Sequence, residues 1–442
     1  MSDKRRLHFA PAGITSPRLR KSTRTLKVAP APSTGGRAFD TQIAAFVLGM
    51  NETGLTAARC LGREGISVKG FDTSAKRSGF RSRYCKAAVC PDPLHQPEDL
   101  VRFLSHQVSD GSQKVVLLPT SDAFFLFLSR HRAQLAGKFL MNLPSEDVAE
   151  SVVNKRSLYE LAAANDTRFP ESYFPGTYDE ALAIKDALRY PAFIKPYWGH
   201  QWRAYFGGQH KGFKVHSPDE FLERFREVLK SGHPALVQSY VTSSDDNLFS
   251  LSLYISQTGE PLAVFPRRQV RQYPANSGTV TLAISERNSE LVADGTHFCQ
   301  SIGYRGIAGL ECKRDRDDNQ YKLLDFNPRL MLSDGLTAYC GINLPLIQYL
   351  DLTGQRPAPR RGYEEGVKWL DTIADFHAFK QYYKRGELGF KDWLKSIRGA
   401  RVFAVFAWDD PLPFLVDRKF GLSYGRILEY VIRDFLRRKF AS

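Results

Sequence analysis

Leu310-Glu-Cys-Lys-Arg-Asp-Arg-Asp-Asp-Asn-Gln-Tyr-Lys-Leu-Leu-Asp-Phe-Asn-Pro-Arg329 holds the residues on which the reading of this chain turns. Asp317-Asp318-Asn319 is turn chemistry between two strand-like runs, which predicts a β-hairpin. A turn centred near Asp318 puts Glu311 directly across from Asp325, because the two positions are symmetric about it. Side chains at i and i+2 share one face of a strand, so Asn327 joins them. Two opposed carboxylates repel unless a cation or a proton lies between them. An all-oxygen ligand set of this kind suits a hard cation, Mg²⁺ before Mn²⁺. A merely solvated hairpin is a poor account, since Asp325 and Asn327 interrupt an otherwise apolar run, Leu323-Leu-Asp-Phe-Asn-Pro. Arg329, two residues further, has a planar fork suited to a phosphoryl oxygen or a carboxylate.

Upstream, Tyr190-Pro-Ala-Phe-Ile-Lys195-Pro196 is a strand-like run ending in one lysine that points into a site. His233-Pro-Ala-Leu-Val-Gln-Ser-Tyr-Val241 offers strand-edge backbone groups and an apolar wall that fit an adenine, and Asp246 follows where ribose hydroxyls could be bound. Further upstream, Ile43 to Leu48 is an apolar run predicted as a strand buried on both faces. Gly49-Met-Asn-Glu-Thr-Gly54 leads into a helical pattern, and Ile66 to Phe71 reads as a second strand. A third strand, Lys114 to Leu118, ends in Pro119-Thr-Ser-Asp122, where open α/β sheets bind ligands. Asn51 stands where a dinucleotide fingerprint needs its middle glycine, so the turn is read as presenting substrate rather than NAD or FAD.

The expected architecture is therefore α/β and α+β: a basic tail over residues 1–38, a Rossmann-like half-domain over 39–150, an α+β domain over 151–355, and an extension of helices and a strand over 356–442. The tail carries nine Lys or Arg against Asp3 alone, which is eight of the fifteen net positive charges, and is expected to be disordered. In the final residues Ile427, Leu428, Val431, Ile432, Phe435, Leu436 and Phe440 fall on one helical stripe, read as core packing with a membrane-surface helix as the alternative. Six dispersed cysteines without a CxxC pair indicate a reducing compartment, and no apolar run reaches the length that spans a bilayer. Localisation is expected to be cytoplasmic, with peripheral membrane contact at the inner face as an option. Partners are expected to be small molecules, not nucleic acid, with a homo-oligomer open.

Lys155, the Lys195-Pro196 pair, the Val237-Gln-Ser-Tyr-Val241 hinge, and Glu311 with Asp325-x-Asn327-x-Arg329 occur in the order found in ATP-grasp enzymes, and the chain resembles that superfamily over roughly residues 40 to 350. It is most similar there to bacterial D-aspartate ligases and to one half of the carbamoyl-phosphate synthase large subunit. Phe80-Arg-Ser-Arg83, Pro119-Thr-Ser-Asp122, Arg267-Arg-Gln-Val-Arg271 and Asp410-Pro-Leu-Pro413 look like the same group. The resemblance implies an ATP-grasp domain of two α+β subdomains and an ATP-dependent carboxylate-amine ligase working through an acyl phosphate. A carboxylate or carbamate kinase, or a non-catalytic ATP-binding scaffold, are the alternatives. It further implies that Lys155 and Lys195 contact ATP phosphates, that Gln238, Ser239, Tyr240 and Val241 hold adenine, and that Asp246 binds ribose. Glu311, Asp325 and Asn327 would bind Mg²⁺, Arg271 and Arg268 would stabilise the transferring phosphoryl group, and Arg329 the acyl phosphate. Asn51, Ser121, Asp122, Ser333 and Asp334 are the expected substrate contacts. Two departures stand out: Asp325 occupies a position usually held by Glu, and the glycine-rich phosphate loop reads Tyr197-Trp-Gly-His-Gln-Trp-Arg203, with His200, Arg203 and Lys211 as possible substitutes.

Overall fold

A computed structural model describes residues 6–7, 39–111, 113–198, 202, 205–206, 212–241, 247–275, 278–360 and 362–416. Asp246, the His200, Arg203 and Lys211 positions, the final helical stripe and most of the basic tail lie outside the described residues. Within the tail, Arg6–Leu7 (β1) pairs antiparallel with Ser172–Tyr173 (β7).

The first unit is a five-stranded parallel sheet in the order β4-β3-β2-β5-β6, built from Lys86–Val89 (β4), Val68–Asp72 (β3), Ala45–Leu48 (β2), Val115–Pro119 (β5) and Phe139–Leu140 (β6). All four residues of β2 are buried, as a strand covered on both faces requires. Chain order reverses between β2 and β5, so the loops leaving these two strands splay apart and open a crevice at their carboxyl ends. Glycine is required at the first of those loops. Gly49 has φ +97, and a Cβ on Gly54 would lie 1.9 Å from the Gly49 carbonyl oxygen. The helix Glu52–Gly62 therefore starts tight against β2, capped by Asn51.

The second unit is an antiparallel sheet in the order β1-β7-β10-β8-β9, with Ala192–Pro196 (β8), Phe213–Val215 (β9) and Ala235–Ser239 (β10). Its outer face is closed by the helices Tyr178–Ile184 and Pro218–Lys230, whose Ala181, Phe221, Phe225 and Val228 join Ile194 and Val237 in one core.

The third unit is a seven-stranded sheet in the order β15-β14-β11-β12-β13-β16-β17: Leu248–Ile255 (β11), Pro261–Tyr273 (β12), Thr279–Ser285 (β13), Gly306–Arg314 (β14), Tyr321–Asn327 (β15), Lys368–Leu370 (β16) and Val402–Phe403 (β17). Alternation along β11 sends Phe249, Leu251 and Leu253 into a core with the helix Ser289–Ser301 and the paired helices Glu146–Val153 and Lys155–Ala164. Ser250, Ser252 and Tyr254 take the opposite face. The last two strands come from the C-terminal extension, so that region completes the central sheet rather than hanging from it. A shared core in which Val47, Leu61 and Val116 meet Tyr254, Phe265 and Trp369 joins the first unit to the third.

Candidate active site

The register of the third sheet lines up one polar row across four strands. Arg267 pairs with Ser250, Ser250 with Glu311, and Glu311 with Asp325. The adjacent row on the same face is Ser252, Gly309 and Asn327, and the one on the other side is Leu248 and Lys313. Glu311 and Asp325 are thus directly opposed, as the symmetry of their hairpin predicts.

Two cavities meet at this row. One is lined by Phe193, Lys195, Gln238, Ser239, Tyr240, Val241, Leu248 and Lys313. The other is a cleft lined by Asn51, Ser121, Asp122, Asn327, Arg329 and Ser333. Lys155, Glu311 and Asp325 line both. Phe193, Val241 and Leu248 give the first cavity its apolar lining, and the backbone running out of β10 passes along it at Ser239 to Val241, with the Ser239 and Tyr240 amides already bonded to the Glu171 and Pro191 carbonyls. Lys195 Nζ donates to Gln238 Oε1 at 2.8 Å, and Gln238 in turn donates to Ser172, so the lysine is held over this cavity by a chain that starts in β7. The Tyr240 ring lies between two cations, with Lys214 Nζ 4.2 Å and Lys313 Nζ 4.9 Å from its centroid.

At the junction, Lys155 Nζ donates to Asp325 Oδ1 at 2.6 Å. Asn154 caps the helix that begins at Lys155, which fixes the lysine at a helix start facing the hairpin. The Asn327 amide donates weakly to the Gly309 carbonyl, turning its own oxygen to the remaining side. Two carboxylates and an amide oxygen on one cleft wall are the donor set a hard divalent cation takes, so the residues present fit Mg²⁺.

Across the cleft, Arg329 Nε donates to Asp122 Oδ1 at 2.8 Å, tying the hairpin's end to the Rossmann-like unit. Asn51 and Ser121 cap the two helices that leave β2 and β5, Glu52–Gly62 and Asp122–Arg130, and both line the cleft. Two helix N-termini at a topological switch point favour an anionic group there.

The structure places three of the expected residues elsewhere. Arg271 is buried in a bidentate pair with Asp375 at 2.9 and 3.0 Å, donates also to Ser396, and lines neither cavity. Arg268 pairs with Glu286 on the far face of the sheet. Arg268 takes that face by ordinary alternation from Arg267, whereas for Arg271 the physical reason is a register irregularity at Gln269 to Gln272 in β12. Arg271 is carried off the cleft face, and Gln272 lines the first cavity in its place. Asp334 also turns inward. It accepts from Arg267 at 3.0 Å and from Ser252 at 2.6 Å, leaving Ser333 as the cleft residue of that turn.

Arg267, absent from the sequence-based set of sites, is wholly enclosed. Burial pulls its pKa down, against the charges of Asp334 and Glu311. Its Nε donates to Ser333 Oγ at 2.6 Å. A guanidinium has no acceptor, so Ser333 spends a lone pair on it and keeps its hydroxyl hydrogen for an acceptor in the cleft it lines. Lys313 was also missed, although its i+2 spacing from Glu311 is a signal that alternation provides.

No family model matches the chain. It is 24% identical over 265 residues to a D-aspartate ligase of Enterococcus faecium, covering 56% of this chain and 61% of that protein. It therefore spans about three-fifths of that relative's length. It is 29% identical over 180 residues to acetyl-CoA carboxylase 2 of Oryza sativa, covering 39% of this chain and 7% of that much longer protein. Among solved structures, N5-carboxyaminoimidazole synthetase from Staphylococcus aureus aligns with a TM-score of 0.60 at 13% identity over 78% of this chain and 85% of that one. Biotin carboxylase from Campylobacter jejuni aligns with a TM-score of 0.59 at 12% identity, over 74% and 75%. A Rossmann-like unit, a small antiparallel sheet and a large one, with two lysines and an acidic hairpin facing each other between them, are the fold of these structures, and together with the likeness to a D-aspartate ligase they support the ATP-grasp superfamily for this chain.

Proposed function

We propose that the protein is an ATP-dependent carboxylate-amine ligase that activates its acid as an acyl phosphate. The observation that carries this reading is the junction: Lys155, Glu311 and Asp325 belong at once to a nucleotide-shaped cavity and to a cleft built for an anion. A terminal phosphate reaching out of the first cavity would meet a carboxylate held in the second at these three side chains. Similarity to a D-aspartate ligase and to ATP-using carboxylases supports the same class.

In this reading the Ser239 to Val241 backbone holds the adenine edge, Lys195 and Lys155 orient the phosphates, and Arg329, fixed by Asp122, steers the acid. Bound at Glu311, Asp325 and Asn327, Mg²⁺ would neutralise phosphate charge, the dominant need in phosphoryl transfer. A carboxylate oxygen of the acid bonds to the γ-phosphorus as the bond to the β-phosphate oxygen breaks, and ADP leaves. The amine then attacks the acyl carbon, loses a proton, and inorganic phosphate departs. Arg329 and the Ser333 hydroxyl are placed to meet the acyl phosphate's oxygens.

ADP release measured with Mg-ATP across a panel of carboxylic acids and amines, with mass spectrometry of products, tests the proposal. Turnover that needs both an acid and an amine, and yields an amide, is the expected result. Turnover with an acid alone makes the protein a kinase, and no turnover with any pair overturns the catalytic reading.

A further inference from the structure

Four large apolar side chains crowd one short stretch of surface far along the chain. Trp408 is 89% exposed, Leu412 50%, Leu415 59% and Val416 49%. Scattered exposed hydrophobics need no explanation, but a cluster of this kind marks a contact surface. The ridge has a firm base. Phe406 packs against both Trp408 and Phe414, with ring centroids 4.8 and 5.3 Å away. Beneath it, Asp410 is locked to the Rossmann-like unit, accepting from Arg59 Nε at 2.9 Å, Ser82 Oγ at 2.6 Å and the Arg83 amide at 3.0 Å. Asp409 adds Arg63 at 2.8 Å and Tyr84 at 2.7 Å.

Those anchors bring a second feature alongside. The short helix Leu412–Leu415 packs on the turn Ser78–Arg81. That turn lies inside Lys76-Arg-Ser-Gly-Phe-Arg-Ser-Arg-Tyr-Cys-Lys86, whose Lys76, Arg77, Arg81, Arg83 and Lys86 are all exposed, with no acidic residue among them. Arg77 is engaged with Asp72 and Arg83 with the Asp409 carbonyl, while Arg81 closes the turn on which the short helix packs and Lys86 opens β4. An apolar ridge crowned by tryptophan and flanked by a basic strip is the pattern of an interfacial membrane contact. Leucines enter the acyl boundary, indole sits at headgroup level, and cations meet anionic phosphates.

We propose that this face, Arg81 and Lys86 with Trp408, Leu412, Leu415 and Val416, docks the protein onto an anionic membrane surface. Trp408 projects almost completely, and a protrusion suits a soft headgroup layer better than a rigid protein groove. The sequence beyond it has the same sign, since Asp417 to Ser442 contains seven Lys or Arg against three acids. No helix among the described residues is long and apolar enough to cross a membrane.

Co-sedimentation of the full chain with phosphatidylcholine vesicles, and with vesicles that also contain phosphatidylglycerol, tests this. Binding is expected only to the phosphatidylglycerol vesicles, falling as salt is added, with a blue shift of tryptophan emission that Trp408→Ala removes. Leu412→Asp with Leu415→Asp, and separately Arg81→Glu with Lys86→Glu, are each expected to weaken binding about tenfold while ADP release in solution is unchanged. Failure to bind phosphatidylglycerol vesicles overturns the proposal. So does wild-type binding by both double variants, which would move the contact to the chain termini. A change of oligomeric state in the leucine variant without any change in vesicle binding would assign the ridge to a protein interface instead.

Discussion

Arg271 and Arg329 put the same guanidinium into opposite situations. Arg271 is enclosed with Asp375 and Ser396 as its partners, and Asp375 accepts also from Thr281 and Trp393. Arg329 reaches Asp122 and its neighbour's carbonyl, at the wall of a cleft. Removing one partner of a buried pair strands the other charge, so Arg271→Ala is expected to lower stability by about 3–5 kcal/mol in denaturant titration. Its remaining folded fraction should turn over normally. Arg329→Ala loses a half-exposed pair and should cost no more than about 1 kcal/mol of stability. It should nevertheless remove most ADP release. A thermal midpoint near wild type for Arg271→Ala, together with a large fall in turnover, would return that residue to the chemistry.

At the scale of elements, the hairpin was legible because its turn announced itself, and a turn centred at Asp318 puts Glu311 opposite Asp325; the strands reach that pairing through a register shift between Glu311 and Cys312 that no residue marks. The irregularity in β12 was not legible, since a bulge leaves no residue signature of its own in Arg267-Arg-Gln-Val-Arg271, and counting by twos then assigns the wrong face. The same limit hid Arg267: its role depends on Ser333 and Asp334, which arrive from beyond the next hairpin. The turn at Met331 to Asp334 is itself set by β14. A Cβ on Gly309 would lie 2.3 Å from Met331 Cγ, so Gly309→Ala must displace the Met331 side chain at the start of that turn. The variant is expected to keep its affinity for ATP and to show a raised KM for the acid, read by equilibrium nucleotide binding beside steady-state kinetics. Equal loss of both would mean the substitution disturbs the whole sheet.

Across the whole molecule, Phe80-Arg-Ser-Arg83 and Asp410-Pro-Leu-Pro413 could be noticed in the sequence, but nothing in either showed that they meet. Arg59 and Asp410 form a buried pair between the first unit and the end of the described chain. Beside it, hydrogen bonds from Arg63 and Tyr84 hold the Asp409 carboxyl well below the usual carboxylate range. A carboxylate depressed in the folded state contributes stability above its unfolded value of 3.8 and loses it as pH falls toward its folded value. The stability difference between wild type and Asp409→Asn should therefore be full near neutrality and shrink once pH drops below about 4, by less than a fully buried pair would give because the site is partly exposed. A difference independent of pH would show that the variant acts through packing instead.

The account rests on two opposed carboxylates and an amide oxygen at the meeting point of two cavities. ADP release by Asp325→Ala, measured against magnesium concentration beside the wild type, tests that arrangement most directly. The account predicts at least about a hundredfold loss that added magnesium does not rescue, with circular dichroism and thermal midpoint close to wild type. Turnover within a few-fold of wild type in a well-folded Asp325→Ala protein would contradict it.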